Sequence, residues 1–495
     1  MSILDSTIVN VAIPTLQSNF GASTDQVQWV VTIFLLALGI VVPVSGWLAD
    51  RYGMTRVYIA SLIIFTAGSA LCGLSTSLTE LIFFRLLQGV GGGLLAPITM
   101  AMVYRLVPRE RIGTAMGIYG LTIAFGPALG PSLGGYLVQY VDWRLIFYIN
   151  VPIGILGVIL ASAVLPPFAG DSSKPFDLWG FVTSATGLGL LLYGLTEGQT
   201  WGWTSEASVL VLMGAAWMLT LYIVIELTTP NPLLDLRIFR YRVFSLSSVL
   251  VVVTVVALYA GSFYVPLYMQ EVQGYGAFAT GLTLMPAALL MGATMPFSGR
   301  LYDAVGARVP AVIGMVIVGA ATLLFLRMTA DTTSSTISVW MAIRSLGLAM
   351  AMMPVMTAGL SVIPTQEIGR ASAINNIIQR TAGSLGLAVL TSIYSNDYAQ
   401  QTANLASHVT RTSPGLTVLM QRAAATVSQV VPSFAAKDSG LLVIARAISN
   451  LAFTTAMHDV FAYAAISAIV GAVLAIFLRE QRHGGGRGRA SVSVE

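Results

Sequence analysis

Runs of eighteen or more apolar residues recur from one end of this chain to the other. Each is long enough to cross a hydrocarbon core of about 30 Å as a helix. The 495 residues are 56% hydrophobic and 9% charged, with a mean hydropathy of +0.81. A soluble protein of that length could not solvate its surface with so few charges. The fold class is therefore an all-α, polytopic membrane protein.

The runs predict spans near 2–16, 27–49, 57–76, 78–104, 111–139, 144–165, 177–197, 207–227, 243–269, 277–303, 309–328, 335–363, 368–395 and 455–478, fourteen in all. The first is short: at 1.5 Å per residue it reaches roughly 22 Å, less than the hydrocarbon thickness. A truncated first helix, with a segment missing ahead of it, is the expectation. Basic residues set the orientation. With the N-terminus inside, loops after even-numbered spans hold Arg51, Arg56, Arg105, Arg109, Arg111, Lys174, Arg237, Arg240, Arg242, Arg300, Arg308 and Arg370, whereas the short opposite loops hold Arg144 and Arg327. Both termini are then cytoplasmic, in a plasma (inner) membrane, and a bacterial source is expected. The Thr-, Ser- and Ala-rich segment 396–454, with Arg411, Arg422, Lys437 and Arg446, reads as a long, partly helical extracytoplasmic loop; loops of that length escape the charge rule. Arg479, Arg482, Arg487 and Arg489 follow the last run as a basic cytoplasmic tail.

Two glycine-bounded turns half a sequence apart share the pattern G-x-L-x-D-x-x-G: Gly46-Trp47-Leu48-Ala49-Asp50-Arg51-Tyr52-Gly53 and Gly299-Arg300-Leu301-Tyr302-Asp303-Ala304-Val305-Gly306. Arg85 inside one span has a counterpart in Arg344. Ile112-Gly113 with Gly130 is matched by Ile368-Gly369 with Gly386. The offsets agree closely: 253 residues (46 to 299), 259 (85 to 344) and 256 (113 to 369). Repeats in one orientation need an even number of spans between them, which six plus two plus six satisfies. The expected division is a first six-helix bundle (1–165), two inserted helices with linkers (166–240) and a second six-helix bundle (241–495).

Cys72 is the only cysteine, which excludes an internal disulfide and a cysteine metal site. His408, His458 and His483 do not cluster at ligand spacing, so neither metal nor cofactor is expected. No G-x-x-x-x-G-K-[ST] loop occurs, so ATP is not an expected partner. Much of the net charge of +4 lies in the tail, and nucleic acid is not expected either. Gly89, Gly91, Gly92 and Gly93 lie inside a span with no strand ahead of them, and read as close helix packing rather than a dinucleotide fingerprint.

Several motifs, in order, resemble the major facilitator superfamily, and within it the fourteen-helix drug:proton antiporter branch (EmrB/QacA type). Leu4-Asp5-Ser6-Thr7-Ile8-Val9-Asn10-Val11-Ala12-Ile13-Pro14 is similar to that branch's first-helix motif. Residues 46–56 resemble the superfamily's loop motif, and Arg85-Leu86-Leu87-Gln88-Gly89 its helix 4 motif. Gly126-Pro127-Ala128-Leu129-Gly130-Pro131-Ser132-Leu133-Gly134-Gly135 resembles the antiporter motif of helix 5. Trp143-Arg144, followed by Phe147-Tyr148-Ile149-Asn150-Val151-Pro152-Ile153-Gly154, also fits. The resemblance implies two six-helix bundles related by a pseudo-two-fold axis, plus two inserted helices.

It also implies a proton-coupling role for Asp5, with Arg85 as its electrostatic modulator. A carboxylate at membrane depth costs roughly 2.5–3.5 kcal/mol unless paired or wet. Burial favours its protonated form and a nearby cation its ionised form. The alternatives are a helix cap for Asp5 and a structural arginine bonded to carbonyls for Arg85. Asp50, with Arg51, Arg56, Gly46 and Gly53, reads as a gating turn that caps or pairs across the loop and latches the two halves; Asp303 is its counterpart. Gly126, Pro127, Gly130, Pro131, Gly134 and Gly135 read as a kinked, closely packed hinge, with ordinary packing as the alternative. Candidate cavity walls are Gln28, Trp29, Gln88, Tyr119, Phe263, Tyr264, Arg344, Met352 and Met353, together with the polar face Asn375, Asn376 and Gln379, beside Arg380. Aromatic faces bind organic cations and Met repacks around varied ligands. Lipid-facing or packing roles are the alternatives at each of these positions.

The expected function is secondary active export by a non-enzyme acting as a monomer. Protons entering are exchanged for hydrophobic small molecules leaving, cationic drugs above all, with membrane lipid around the chain. The membrane potential supplies about 2.3 kcal/mol per charge per 100 mV. The alternatives are export of an endogenous lipid, siderophore or antibiotic, and a membrane receptor or scaffold without transport.

Overall fold

The computed structural model describes residues 1–408 and 436–479. Its helices are α1 (Ser2–Phe20), α2 (Asp25–Tyr52), α3 (Met54–Leu74), α4 (Leu78–Leu106), α5 (Ile112–Tyr140), α6 (Leu145–Val164), α7 (Leu178–Trp201), α8 (Glu206–Thr228), α9 (Arg242–Glu271), α10 (Ala277–Val305), α11 (Arg308–Leu324), α12 (Ser334–Ser361), α13 (Ile368–His408) and α14 (Ala436–Ile476). Among the described residues, eleven helices are long and apolar enough to cross a membrane. α1, α5 and α13 are not among the eleven; α1 is diluted by Asp5, Asn10 and Gln17, and α13 by Arg370, Asn375, Asn376, Gln379, Arg380 and its polar last turns.

Local chemistry sets the helix ends. Ser23 and Gln26 form a reciprocal capping box at the start of α2, and Ser77, Asp177, Ser205 and Thr333 cap α4, α7, α8 and α12. The closing glycines of both repeated turns, Gly53 and Gly306, take φ of +89° and +86°, a conformation that costs other residues about 1–2 kcal/mol.

One expectation is corrected. α1 continues past residue 16 to Phe20, so its 19 residues reach about 28 Å rather than 22 Å. The described ends of the segment 396–454, read as partly helical, are helix: α13 runs on to His408 and α14 begins at Ala436. Arg411, Arg422, Arg482, Arg487, Arg489 and His483 lie outside the described residues.

α1–α6 pack on one another, and so do α9–α14. α7 and α8 pair with each other, and α7 leans on α2 and α13, one from each group. Between the groups, α5 runs along α10 and α4 along α13. The Tyr104 hydroxyl of α4 donates to the Thr357 carbonyl of α12 (2.9 Å). Glycines bring α5 and α10 into backbone contact: a Cβ on Gly113 would meet the Gly299 carbonyl, and one on Gly117 the Met295 carbonyl, each at 2.5 Å. These contacts lie at the end of the helices that carries the basic loops.

Candidate functional site

Asp5 sits one turn into α1 and is 1% exposed. α1 is pressed onto α5 by glycines four residues apart. A Cβ on Gly126 would strike Ile3, one on Gly130 would strike Thr7, and one on Gly134 would come within 3.2 Å of the Ile8 carbonyl. The Thr7 hydroxyl also lies 3.2 Å from the Gly126 carbonyl and 2.9 Å from that of Leu4. The expected hinge motif therefore does a nearer job: it seats the helix that carries Asp5. α5 itself runs as one helix from Ile112 to Tyr140.

Around the Asp5 carboxylate every neighbour is a donor. Arg85 Nη1 forms a short ion pair with Oδ2, and Gln88 Nε2 and Asn150 Nδ2 each donate to Oδ1 at 2.9 Å. Arg85, Gln88 and Asn150 are all 0% exposed. Arg85 Nε donates to the Val30 carbonyl (3.0 Å) and Nη1 also to Gln88 Oε1 (2.8 Å). The guanidinium lies 3.9 Å from the Phe34 ring centroid and 5.7 Å from that of Phe147. Asn150 is braced by the Ser69 hydroxyl (3.2 Å), which donates to the Phe147 carbonyl (2.8 Å). Five helices, α1, α2, α3, α4 and α6, thus converge on one carboxylate. A buried ion pair with this many added hydrogen bonds is a satisfied one. Protonation would remove the charge that balances Arg85, whose Nη2 already has no partner among the described residues.

Sequence reasoning missed Asn150, Ser69 and Phe34. Asn150 lies in the motif read after Trp143, and an amide in an apolar run was the available signal. Gln88, expected on a cavity wall, is instead a ligand of Asp5.

The gating turn is split between two duties. Asp50 does not reach the other group. It pairs with Lys174 (2.8 Å) in the linker after α6 and with Arg105 (3.6 Å) of α4. The linker is strapped over the turn: Arg51 Nη1 donates to the Ser172 and Lys174 carbonyls, Thr55 Oγ1 donates to the Pro166 carbonyl (2.6 Å), and a Cβ on Gly53 would strike the Phe168 carbonyl. Arg56 is exposed. From this turn it is Gly46 that touches the second group, its missing Cβ 3.3 Å from the Arg370 nitrogen of α13. Asp303 makes the crossing contact. Its Oδ1 accepts from Gly113 N–H (2.8 Å), and its Oδ2 from Thr114 N–H (2.8 Å) and Thr114 Oγ1 (2.6 Å), so α10 of the second group caps α5 of the first.

The expected cavity residues divide as well. Asn375 and Asn376 face Met100 Sδ of α4 at 3.9 and 4.0 Å. Met353 lies under α5, where a Cβ on Gly120 would be 2.7 Å from Met295 Sδ and 2.8 Å from Met353 Sδ; Met352 is buried beside it. Gln379 is half-buried on the next turn. Tyr119 of α5 and Tyr259 of α9 lie close enough to Arg380 of α13 to act on its charge. Five of them sit in other surroundings. Gln28 is exposed, and Trp29 packs on Tyr193 of α7 (5.7 Å). Tyr264 is core of the second group, bonded to Thr391 (2.9 Å), with Phe263 exposed at its edge. Arg344 is 1% exposed inside the second group, against Gly261, with Thr322 Oγ1 3.3 Å from its Nε. A period-3.6 face tells which residues align, not whether they look inward or to lipid, and so it does not set these five apart from the rest.

Comparison with known proteins places this geometry. The model of the Major Facilitator Superfamily matches residues 1–387. The chain is 33% identical over 484 residues to the uncharacterized MFS-type transporter YhcA of Bacillus subtilis, covering 97% of this chain and 91% of that one. It is 32% identical over 418 residues to the multidrug export protein EmrB of Haemophilus influenzae, covering 84% and 82%. Among solved structures, the human organic anion transporter MFSD10 (TETRAN) superposes with a TM-score of 0.60 at 13% identity, covering 96% of each chain, which is a likeness of fold alone.

Proposed function

Because the chain belongs to the major facilitator superfamily, we propose that it is a proton-coupled exporter of hydrophobic drugs or toxic compounds, of the drug:proton antiporter branch. It is a multi-pass membrane transporter, not an enzyme. In the proposed arrangement fourteen helices span the plasma membrane of a bacterium with both termini cytoplasmic. They form two six-helix bundles about a pseudo-two-fold axis, with α7 and α8 inserted between them, and the monomer is the working unit without ATP. The named multidrug exporters among its relatives support the branch.

One observation carries the reading: Asp5 is a carboxylate buried among donors on a helix that a glycine seam fixes to α5. In the ionised form it holds Arg85, Gln88 and Asn150. On protonation it lets Arg85 go, and the packing of α1, α2 and α4 around that guanidinium must change. The contacts between the groups sit at the cytoplasmic end in the proposed orientation, so this conformation opens outward, where a proton reaches Asp5. Proton uptake loosens the network, the Asp303 latch opens, and the two bundles rock to face the cytoplasm. There substrate replaces the proton. A cation competes for the Asp5 carboxylate directly. Arg380 repels compact cations, which favours those with charge spread over aromatic rings beside Tyr119 and Tyr259.

The test is uptake into everted vesicles under an imposed pH gradient, comparing the native chain with Asp5→Asn and using ethidium as the probe. The variant is expected to bind ethidium more weakly than the native chain and to lose gradient-driven accumulation. Full uphill accumulation by Asp5→Asn would remove that carboxylate from the mechanism.

A further inference from the structure

The second group holds a cavity that the proposed transport cycle does not use. It has a volume of about 290 Å³ and lies where the end of α9 meets α13 and α14. The Gly113–Gly299 contact is at the other end of the helices. Three rings form its wall. Tyr394 and Tyr398 of α13 stack 5.8 Å apart, and Phe453 of α14 stands edge-on to both, at 5.3 and 6.4 Å. The Tyr398 hydroxyl meets the Ser449 hydroxyl at 3.0 Å, which ties α13 to α14 beside the cavity. Two opposite charges stand at the mouth. Glu271 is the last residue of α9, Arg446 lies on α14, and both are exposed. They are not spent on each other. Arg446 Nη2 donates to the main-chain carbonyl of Glu271 (2.7 Å), not to its carboxylate. Neither side chain forms an ion pair among the described residues. The Glu271 carboxylate is near enough to the Tyr394 hydroxyl to act on it. Ring and charge also differ in depth: Phe453 lies about two turns further along α14 than Arg446.

A carboxylate beside ring faces takes an ammonium, and a guanidinium takes a carboxylate or phosphate in its fork. A ligand with one charge alone would leave the other side chain unmatched at the mouth. We infer that this cavity binds a zwitterion: a molecule with a primary ammonium for Glu271 and an acidic oxygen group for Arg446, whose carbon body lies on Tyr394, Tyr398 and Phe453. The volume of about 290 Å³ is at the small end of ligand pockets, which run from about 300 to 1,000 Å³. It suits a single ring or a headgroup and excludes a polycyclic drug. In the proposed orientation, on which this placement rests, the mouth faces outward at the membrane edge. Two sources supply the chemistry there: the phosphoethanolamine headgroup of an outer-leaflet lipid, and a free zwitterion such as an aromatic amino acid. Either one joins the end of α9 to α14, so occupancy stiffens the outer end of the second group.

The experiment uses the full chain in nanodiscs of phosphatidylglycerol, a lipid without an ammonium. Native mass spectrometry reads the retention of added phosphatidylethanolamine against phosphatidylglycerol. Equilibrium dialysis reads the binding of L-phenylalanine against phenethylamine and hydrocinnamate, each of which keeps one of its two charges. At least one zwitterion is expected to bind about tenfold or more tightly than its single-charge controls, and Glu271→Gln and Arg446→Gln are each expected to erase that margin. A margin confined to the lipid assigns the site to a headgroup; one confined to L-phenylalanine assigns it to a free solute. No margin for either source, or a margin that survives both substitutions, would overturn the site. Both substituted residues are exposed, and unchanged melting curves check the fold; should Arg446→Gln fail to fold, Glu271→Gln alone decides. The readouts measure binding and not transport, so a failure of the exporter reading leaves them intact.

Discussion

At the residue scale, Arg85 holds its place through geometry that no other side chain supplies. One planar guanidinium gives Nε to the Val30 carbonyl and Nη1 to both Asp5 and Gln88, while its face lies on Phe34. Lysine offers a single point charge and cannot make that set. Removing one partner of a buried ion pair leaves the other charge uncompensated, at about 3–5 kcal/mol. Arg85→Met is therefore expected to destabilise the protein by about that much. The double variant Asp5→Asn, Arg85→Met is expected to recover a substantial part of it, because no net charge is then stranded. Thermal unfolding of the four proteins in detergent reads the coupling; strict additivity would mean that the two side chains do not act as a pair. The sequence carried Asp5 and Arg85 plainly, since each is a charge in an apolar run. It carried Asn150 and Ser69 only faintly, because short polar side chains in membrane helices more often bond to their own backbone, as Ser61, Thr66 and Thr99 do here.

At the scale of elements, glycine spacing decides how near helices come. Gly130 and Gly135 lie on α5 five residues apart and differ in what a methyl group would meet. Gly130→Ala drives a Cβ into the Thr7 side chain, 2.8 Å from its Cβ and nearer still to its hydroxyl, whereas Gly135→Ala finds its closest neighbour, Val11 Cγ1, at 3.9 Å. Overpacking of the first kind costs about 1–3 kcal/mol; the second is expected to be neutral or to stabilise by up to about 1 kcal/mol through helix propensity. Gly130→Ala shifts the helix that bears Asp5, so its gradient-driven uptake should fall well beyond its loss of stability, while Gly135→Ala transports normally; paired melting curves and vesicle assays separate the two. Elements of this kind were largely legible. Hydropathy located most helix ends to within a few residues, and the glycine-bounded turns announced the repeat. Hydropathy does not fix where a helix stops once its residues turn polar, and so the ends of α13 and α14 lay beyond its reach. Nor does a repeated motif reveal that its copies have diverged: Asp50 holds a linker that only the first group possesses, so the crossing contact falls to Asp303.

At the scale of the whole molecule, charge conservation fixes how transport must respond to voltage. Each proposed cycle carries one proton inward on Asp5 and one substrate outward. With a monovalent cation as substrate, no net charge crosses, and a membrane potential alone drives nothing. With a neutral substrate, one positive charge moves inward per cycle, and the limiting accumulation ratio changes tenfold per about 59 mV. In everted vesicles the lumen stands for the outside, so a lumen-positive potential expels protons and pulls substrate in. Potassium outside with valinomycin imposes that potential at zero pH gradient. A neutral hydrophobic probe is expected to accumulate along the tenfold slope in the native chain and not at all in Asp5→Asn, while ethidium stays insensitive to the potential and responds only to a pH gradient. A slope near tenfold for the cation and near a hundredfold for the neutral probe would mean two protons per cycle.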